Sequence, residues 1–151
     1  MTTNTLVSTI VIDTSNAPEF IDITEQVKQH VRSSNVLDGI VVVYSMHTTA
    51  AIKINEYEPL LMQDMEDFLR RLASADAYYR HNDFDIRTVN MGDDEPRNGH
   101  AHLQHLLMST SETIPIINGD IFLGEWQRIF LLELDGTHPR KRRVLISVVA
   151  A

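Results

Sequence analysis

Ile114-Pro115-Ile116-Ile117-Asn118-Gly119-Asp120-Ile121-Phe122-Leu123 decides the fold. Two apolar runs flank Asn-Gly, a pair that accepts the left-handed backbone of a tight hairpin turn, so the segment predicts antiparallel strands over 114–117 and 120–123. Reading toward the C-terminus, apolar runs over 127–134 and 144–149 predict two more strands, with Asp135-Gly136 as the turn after the first. Toward the N-terminus, the β-branched stretch 5–13 predicts a strand that stops at Asn16 and Pro18. Gly39 to Tyr44 is an unbroken apolar run too short for a helix, the pattern of a strand buried on both faces. Ala50 to Asn55 alternates, with Ala50, Ile52 and Ile54 on one face.

Helical signals fall between these strands. Thr24 is placed to cap a short helix, with Glu25 at its positive end, Val27 and Val31 as an apolar stripe, and Ser33-Ser34-Asn35 as its stop. Pro59 opens a helix to about Ala73 whose core face is predicted from Leu61, Met65, Phe68 and Leu72. A third helix is expected over 101–108. Strands and helices mixed without a regular βαβ rhythm predict an α+β fold with largely antiparallel sheet, in one domain over 1–151.

Net charge is −8, which opposes a general nucleic-acid binder because phosphate backbones are held by excess Lys and Arg. The polar start, Met1 to Thr5, lacks a secretory signal, and no apolar stretch nears the ~20 residues needed to span a bilayer. The expected location is cytoplasmic, without membrane association. With no cysteine, any metal would have to use His, Asp or Glu.

The seven histidines are the main functional signal. His47 precedes Thr48 and Thr49, His81 sits in Tyr79-Arg80-His81-Asn82-Asp83 inside a long polar loop over 76–97, and His102 lies in Asn98-Gly99-His100-Ala101-His102. Three imidazoles would leave a tetrahedral metal one open position for water or substrate. Scattered core or surface histidines would look the same in a sequence. His100 and His105 read as surface residues at the helix start and beyond. Asp83, Asp85, Asp93, Asp94 and Glu95 crowd the loop, as Mg²⁺ ligands or as a solvated run. Asn55-Glu56, at the end of the strand after His47, could move protons or could cap the helix at Pro59. Pro139-Arg140-Lys141-Arg142-Arg143 is the one dense basic run, suited either to gripping a phosphorylated small molecule or to keeping a turn or edge strand soluble. Trp126 is most simply a core or subunit-contact residue.

Taken together, His47-Thr48-Thr49-Ala50, Ile54-Asn55-Glu56, Asp64-Met65-Glu66, His81 to Asp83, Asn98-Gly99-His100-Ala101-His102-Leu103, Ile114-Pro115, Gly124-Glu125-Trp126-Gln127 and Asp135-Gly136 with the arginines after it resemble the YjbQ family. That uncharacterised family is associated with a secondary thiamine phosphate synthase activity. The resemblance implies a compact α+β subunit that forms a homotrimer around a histidine-bearing pocket, with His47, His81 and His102 at the family's recurrent positions. It also implies transfer chemistry that joins a pyrimidine diphosphate to a thiazole phosphate and releases pyrophosphate. On that scheme His47, His81, His102, Asn55 and Glu56 are the candidate catalytic residues. Thr48, Thr49, Arg140, Arg142 and Arg143 would bind substrate, and zinc (Zn²⁺), or Mg²⁺ in its place, would sit on the three histidines. The alternatives are a zinc-dependent hydrolase or lyase, or a trimer that binds a metal or phosphorylated metabolite without turnover.

Overall fold

The computed structural model describes residues 5–151; residues 1–4, most of the polar start noted above, lie outside the described residues. Eight strands and three helices follow in the order β1 (Thr5–Thr14), β2 (Glu19–Asp22), α1 (Thr24–Ser34), β3 (Gly39–Ser45), β4 (Ala50–Glu56), α2 (Pro59–Leu72), α3 (Gly99–His105), β5 (Ser111–Ile117), β6 (Asp120–Ile121), β7 (Gln127–Glu133) and β8 (Arg140–Ala150). A single 3-10 turn, Arg80–Asn82, breaks the long loop between α2 and α3. All strand pairings are antiparallel, and they make two sheets: a five-stranded one ordered β1-β8-β3-β5-β6 and a three-stranded one ordered β2-β7-β4.

Burial shows why the sheets stack. Along β7, Ile129 and Leu131 join Val41, Val43, Val144, Ile146 and Val148 of the larger sheet in one core, which α1 seals with Val27 and Val31. The alternate residues Phe130 and Leu132, with Leu134 just beyond, point the other way and pack with Leu69 of α2 and Ala101 of α3. Period-two alternation on a strand sandwiched between two layers therefore makes β7 apolar throughout, and the molecule is layered sheet, sheet, helices.

The hairpin forms as its sequence requires: Asn118 and Gly119 both take positive φ, 53° and 81°, as a type I′ turn demands. Asn35 ends α1 in the left-handed conformation at φ 57°. Three expectations differ in detail. Thr24 is the first helical residue rather than the cap, because Asp22 Oδ1 accepts its N–H at 2.9 Å while the Thr24 hydroxyl receives the Ile129 N–H. At Pro59 the cap is Glu58, whose carboxylate accepts from Leu60 and Leu61, so neither Asn55 nor Glu56 does that job. The core face of α2 is centred on Leu69, with Met62 and Met65 beside it, whereas Phe68 and Leu72 are exposed.

β3 is the other departure. It is buried on one face only, through Val41 and Val43; Ile40 and Tyr44 are exposed on the outer face of the larger sheet, as are Val7 and Val11 of β1.

Candidate active site

The turn between β3 and β4 crosses from one sheet to the other, and it carries His47. Ser45 Oγ donates to Ala50 O at 2.6 Å to close the turn, and the Arg143 backbone N–H donates to His47 Nε2 at 2.7 Å. An amide can only donate, so Nε2 is the ring's acceptor and the proton of neutral His47 sits on Nδ1. Burial lowers the His47 pKa, and the neighbouring Arg142, Arg140 and Arg143 charges lower it further against an opposing pull from Glu133. His47 is therefore a neutral hydrogen-bond donor near pH 7 in this arrangement.

Strand alternation divides the basic run. Arg142 points inward and is buried: its Nε donates to Glu133 Oε2 at 2.6 Å, and a terminal nitrogen reaches Glu133 Oε1 and Thr49 Oγ1, the latter at 3.0 Å. Thr14 Oγ1 and the Asp135 N–H also donate to Glu133. Arg140, two residues earlier on the same face, pairs with Asp135, whose carboxylate also accepts from Asn98 Nδ2 at 2.7 Å and from the Thr137 N–H and hydroxyl. Burial alone would raise the Asp135 pKa, but these donors outweigh it and hold it down at about 2. Lys141 and Arg143 face outward on the alternate positions; only the backbone of Arg143 takes part in the site, which removes its side chain from the expected phosphate grip.

The third wall comes from the start of α3 and the loop before it. The His102 and His81 rings meet edge to face with centroids 4.6 Å apart. Arg87 orients His81, donating to both its Nε2 and its carbonyl, and is itself held by Glu95 at 2.7 Å. Burial lowers the His102 pKa, with a further push from His81. His102 is thus a neutral imidazole, the form that accepts a proton.

His47, Thr48, Thr49, Asn98, His102, Arg140 and Arg142 line one open cavity of about 330 Å³. Two buried atoms of these lining residues, Asn98 Oδ1 and Arg140 Nε, have no hydrogen-bond partner among the described residues. One is an acceptor and the other a donor, so a ligand offering a hydroxyl or amine beside an anionic oxygen would satisfy both.

Several expected site residues lie elsewhere. Asn55 and Glu56 are at the opposite end of β4, roughly 17 Å along the strand from Ala50 at ~3.3 Å per residue. There Asn55 contacts Met65, and Glu56 borders a groove with Tyr57 and Trp126. They cannot act on a ligand held by His47 of the same subunit. Trp126 is 66% exposed, so it is no core residue. His100 is buried rather than on the surface. Two of the loop carboxylates are engaged separately: Asp83 accepts from the Tyr78 hydroxyl and the Asp85 N–H, and Glu95 pairs with Arg87. Among the described residues, no three His, Asp or Glu side chains gather as metal ligands. His47 and His81 each commit Nε2 to a donor, and Arg140 and Arg142 make the cavity inhospitable to a cation, so the histidines as arranged do not fit a three-ligand metal centre.

The stacked antiparallel α+β fold defines a class shared with known chains. The model of the UPF0047 protein YjbQ-like family matches residues 8–151, and the chain belongs to that family. A UPF0047 protein of Methanothermobacter thermautotrophicus is 43% identical over 135 residues, 89% of this chain and 85% of the relative. YugU of Bacillus subtilis is 31% identical, covering 95% and 99%. Among solved structures, a hypothetical protein from Aeropyrum pernix has a TM-score of 0.83 at 32% identity, covering 97% of this chain and 99% of its own. A YjbQ/UPF0047-family protein from Clostridium acetobutylicum reaches 0.80 at 37%, covering 93% and 98%.

Proposed function

We propose that this chain is an enzyme acting on phosphorylated small molecules in the cavity of His47, His102, Arg140 and Arg142, by a transfer reaction of the thiamine phosphate synthase kind. The observation that carries the reading is the pair of arginines, each fixed by a buried carboxylate, facing two neutral histidines and the unpartnered Asn98 Oδ1 and Arg140 Nε. In such a reaction the thiazole nitrogen forms a bond to the pyrimidine's methylene carbon as the carbon–oxygen bond to diphosphate breaks. Negative charge grows on the departing diphosphate. Arg140 and Arg142, held before substrate arrives, would stabilise that charge without reorganising. His47 donates from Nδ1 to a phosphate oxygen, Thr48 and Thr49 border the same wall, and His102 lines the cavity as a neutral hydrogen-bonding group; the thiazole nitrogen carries no proton, so its alkylation needs no base. A cytoplasmic setting goes with such substrates. The test is pyrophosphate release from the two substrates: activity in the wild type that falls at least about tenfold in His102→Ala and Arg140→Gln supports the reading, and equal rates in all three sink it.

A zinc-dependent hydrolase or lyase is the second reading, favoured by the contact between His81 and His102. It requires His47 to leave the Arg143 amide and His81 to leave Arg87. Elemental analysis of purified protein decides it: zinc bound in the wild type and lost in His102→Ala would establish this reading.

We also assign the exposed apolar face of the larger sheet, with Val7, Val11, Ile40 and Tyr44, to contact between subunits of a homotrimer. Sedimentation of wild type as a trimer and of Tyr44→Glu as a smaller species is the expected result.

A further inference from the structure

Behind α3, on the side away from His102, lies a second cavity of about 410 Å³. His100 and Gln104 line it from one face of the helix, one turn apart, and both are more than nine-tenths buried. His100 Nδ1 and Gln104 Oε1 have no hydrogen-bond partner among the described residues. Gln104 is firmly placed, because its Nε2 donates to the Leu69 and Ala73 carbonyls at 2.9 and 3.1 Å. A buried amide oxygen left bare costs free energy that a fitting ligand recovers.

The rest of the lining carries opposite charges. Arg97, stacked over Phe84 and donating to the Asn82 carbonyl, makes no ion pair with a carboxylate among the described residues, and Asp76 makes none with a cation. Arg70, also in the wall, is already paired with Glu66 and Asp67. One available cation and one available anion, outside two bare neutral groups, match a zwitterion with a polar uncharged tail.

We propose that this cavity is a second ligand site, for a small α-amino acid with a hydroxyl or amide side chain. The carboxylate meets Arg97, the ammonium meets Asp76, and the side-chain donor bonds Gln104 Oε1 while the same group pairs with His100 Nδ1. The site is independent of the reaction assigned to the first cavity, though the two share a wall: Thr137 lines this one and donates to Asp135, which holds Asn98 and Arg140 of the other.

The test is calorimetry with L-serine and L-asparagine as probes and L-alanine as the control without a polar tail, on the full chain. The expected result is binding of either polar probe, at least about tenfold weaker for L-alanine, with the same loss in His100→Phe and in Asp76→Asn, and no change in His47→Ala. Asp76 is at the exposed rim, so its variant keeps the test alive if His100→Phe fails to fold. Failure of both probes to bind at millimolar concentration would mean that the cavity holds ordered water only. Binding that is lost in His47→Ala and kept in Asp76→Asn would put the ligand in the first cavity. Either result overturns the proposal.

Discussion

Replacing Glu133 by Gln keeps the side chain's size and removes its charge, and the structure says this should be among the most damaging isosteric changes available. The Glu133 side chain is 1% exposed and that of Arg142 5%, so water solvates little of either. Glu133 accepts two hydrogen bonds from Arg142, one from Thr14 Oγ1 and one from the Asp135 N–H. A glutamine has one acceptor oxygen in place of two and turns an NH₂ toward donors. Stranding one partner of a buried ion pair costs about 3–5 kcal/mol. Against a typical domain stability of about 5–15 kcal/mol, that brings the protein close to unfolding. Urea unfolding at pH 7 and fixed protomer concentration measures it, since oligomerisation would otherwise shift the midpoint. The double variant Glu133→Leu/Arg142→Met removes both charges and should be less destabilised than Glu133→Gln. A single variant within about 1 kcal/mol of wild type would refute the argument that this pair is a desolvated unit.

Asp135, whose side chain is fully buried and whose pKa is about 2 instead of 3.8, should contribute stability that is complete above pH 3.8 and lost as pH falls through about 2. The share is about 2 kcal/mol, and it should vanish from the acid-unfolding curve of Asp135→Asn. His47, His100 and His102 all have pKa values lowered by burial, so the folded state binds fewer protons than the unfolded one. Their effect is a protein that loses stability as pH drops below 6.5, with histidine ring resonances still titrating below that value in NMR spectra. Gly39→Ala should be severely destabilising: an added Cβ would lie 2.1 Å from the Val149 carbonyl oxygen, a backbone atom that cannot step aside, for a loss of about 3 kcal/mol or more in chemical denaturation.

The sheet was largely readable because its signals are local. Asn118-Gly119 fixes a turn by backbone conformation alone, and β7 and β8 are apolar because both of their faces or one whole face are covered. β2 escaped notice, since four residues after Pro18 with only Phe20 buried carry almost no periodicity. The stripe on α2 was misplaced by about one residue, because Phe68 is apolar but faces out and Leu69, its neighbour, does the packing. At the site, His47, Thr49, His102, Arg140 and Arg142 were legible as chemistry-bearing residues near strand and helix ends. Glu133 and Asp135 were not, although an acid inside the apolar run Ile129 to Leu134 is the signal that could have exposed the first, and the turn reading of Asp135-Gly136 concealed the second. Asn55 and Glu56 were grouped with His47 by sequence proximity, which a seven-residue strand turns into separation.

Titration of inorganic pyrophosphate into the wild type, Arg140→Gln and His102→Phe, with unfolding curves run beside each, tests most directly that the His47 cavity recognises phosphorylated ligands. Saturable binding to the wild type is expected, weakened at least about tenfold in both folded variants. Absence of binding to the wild type, or the same affinity in all three, would contradict it.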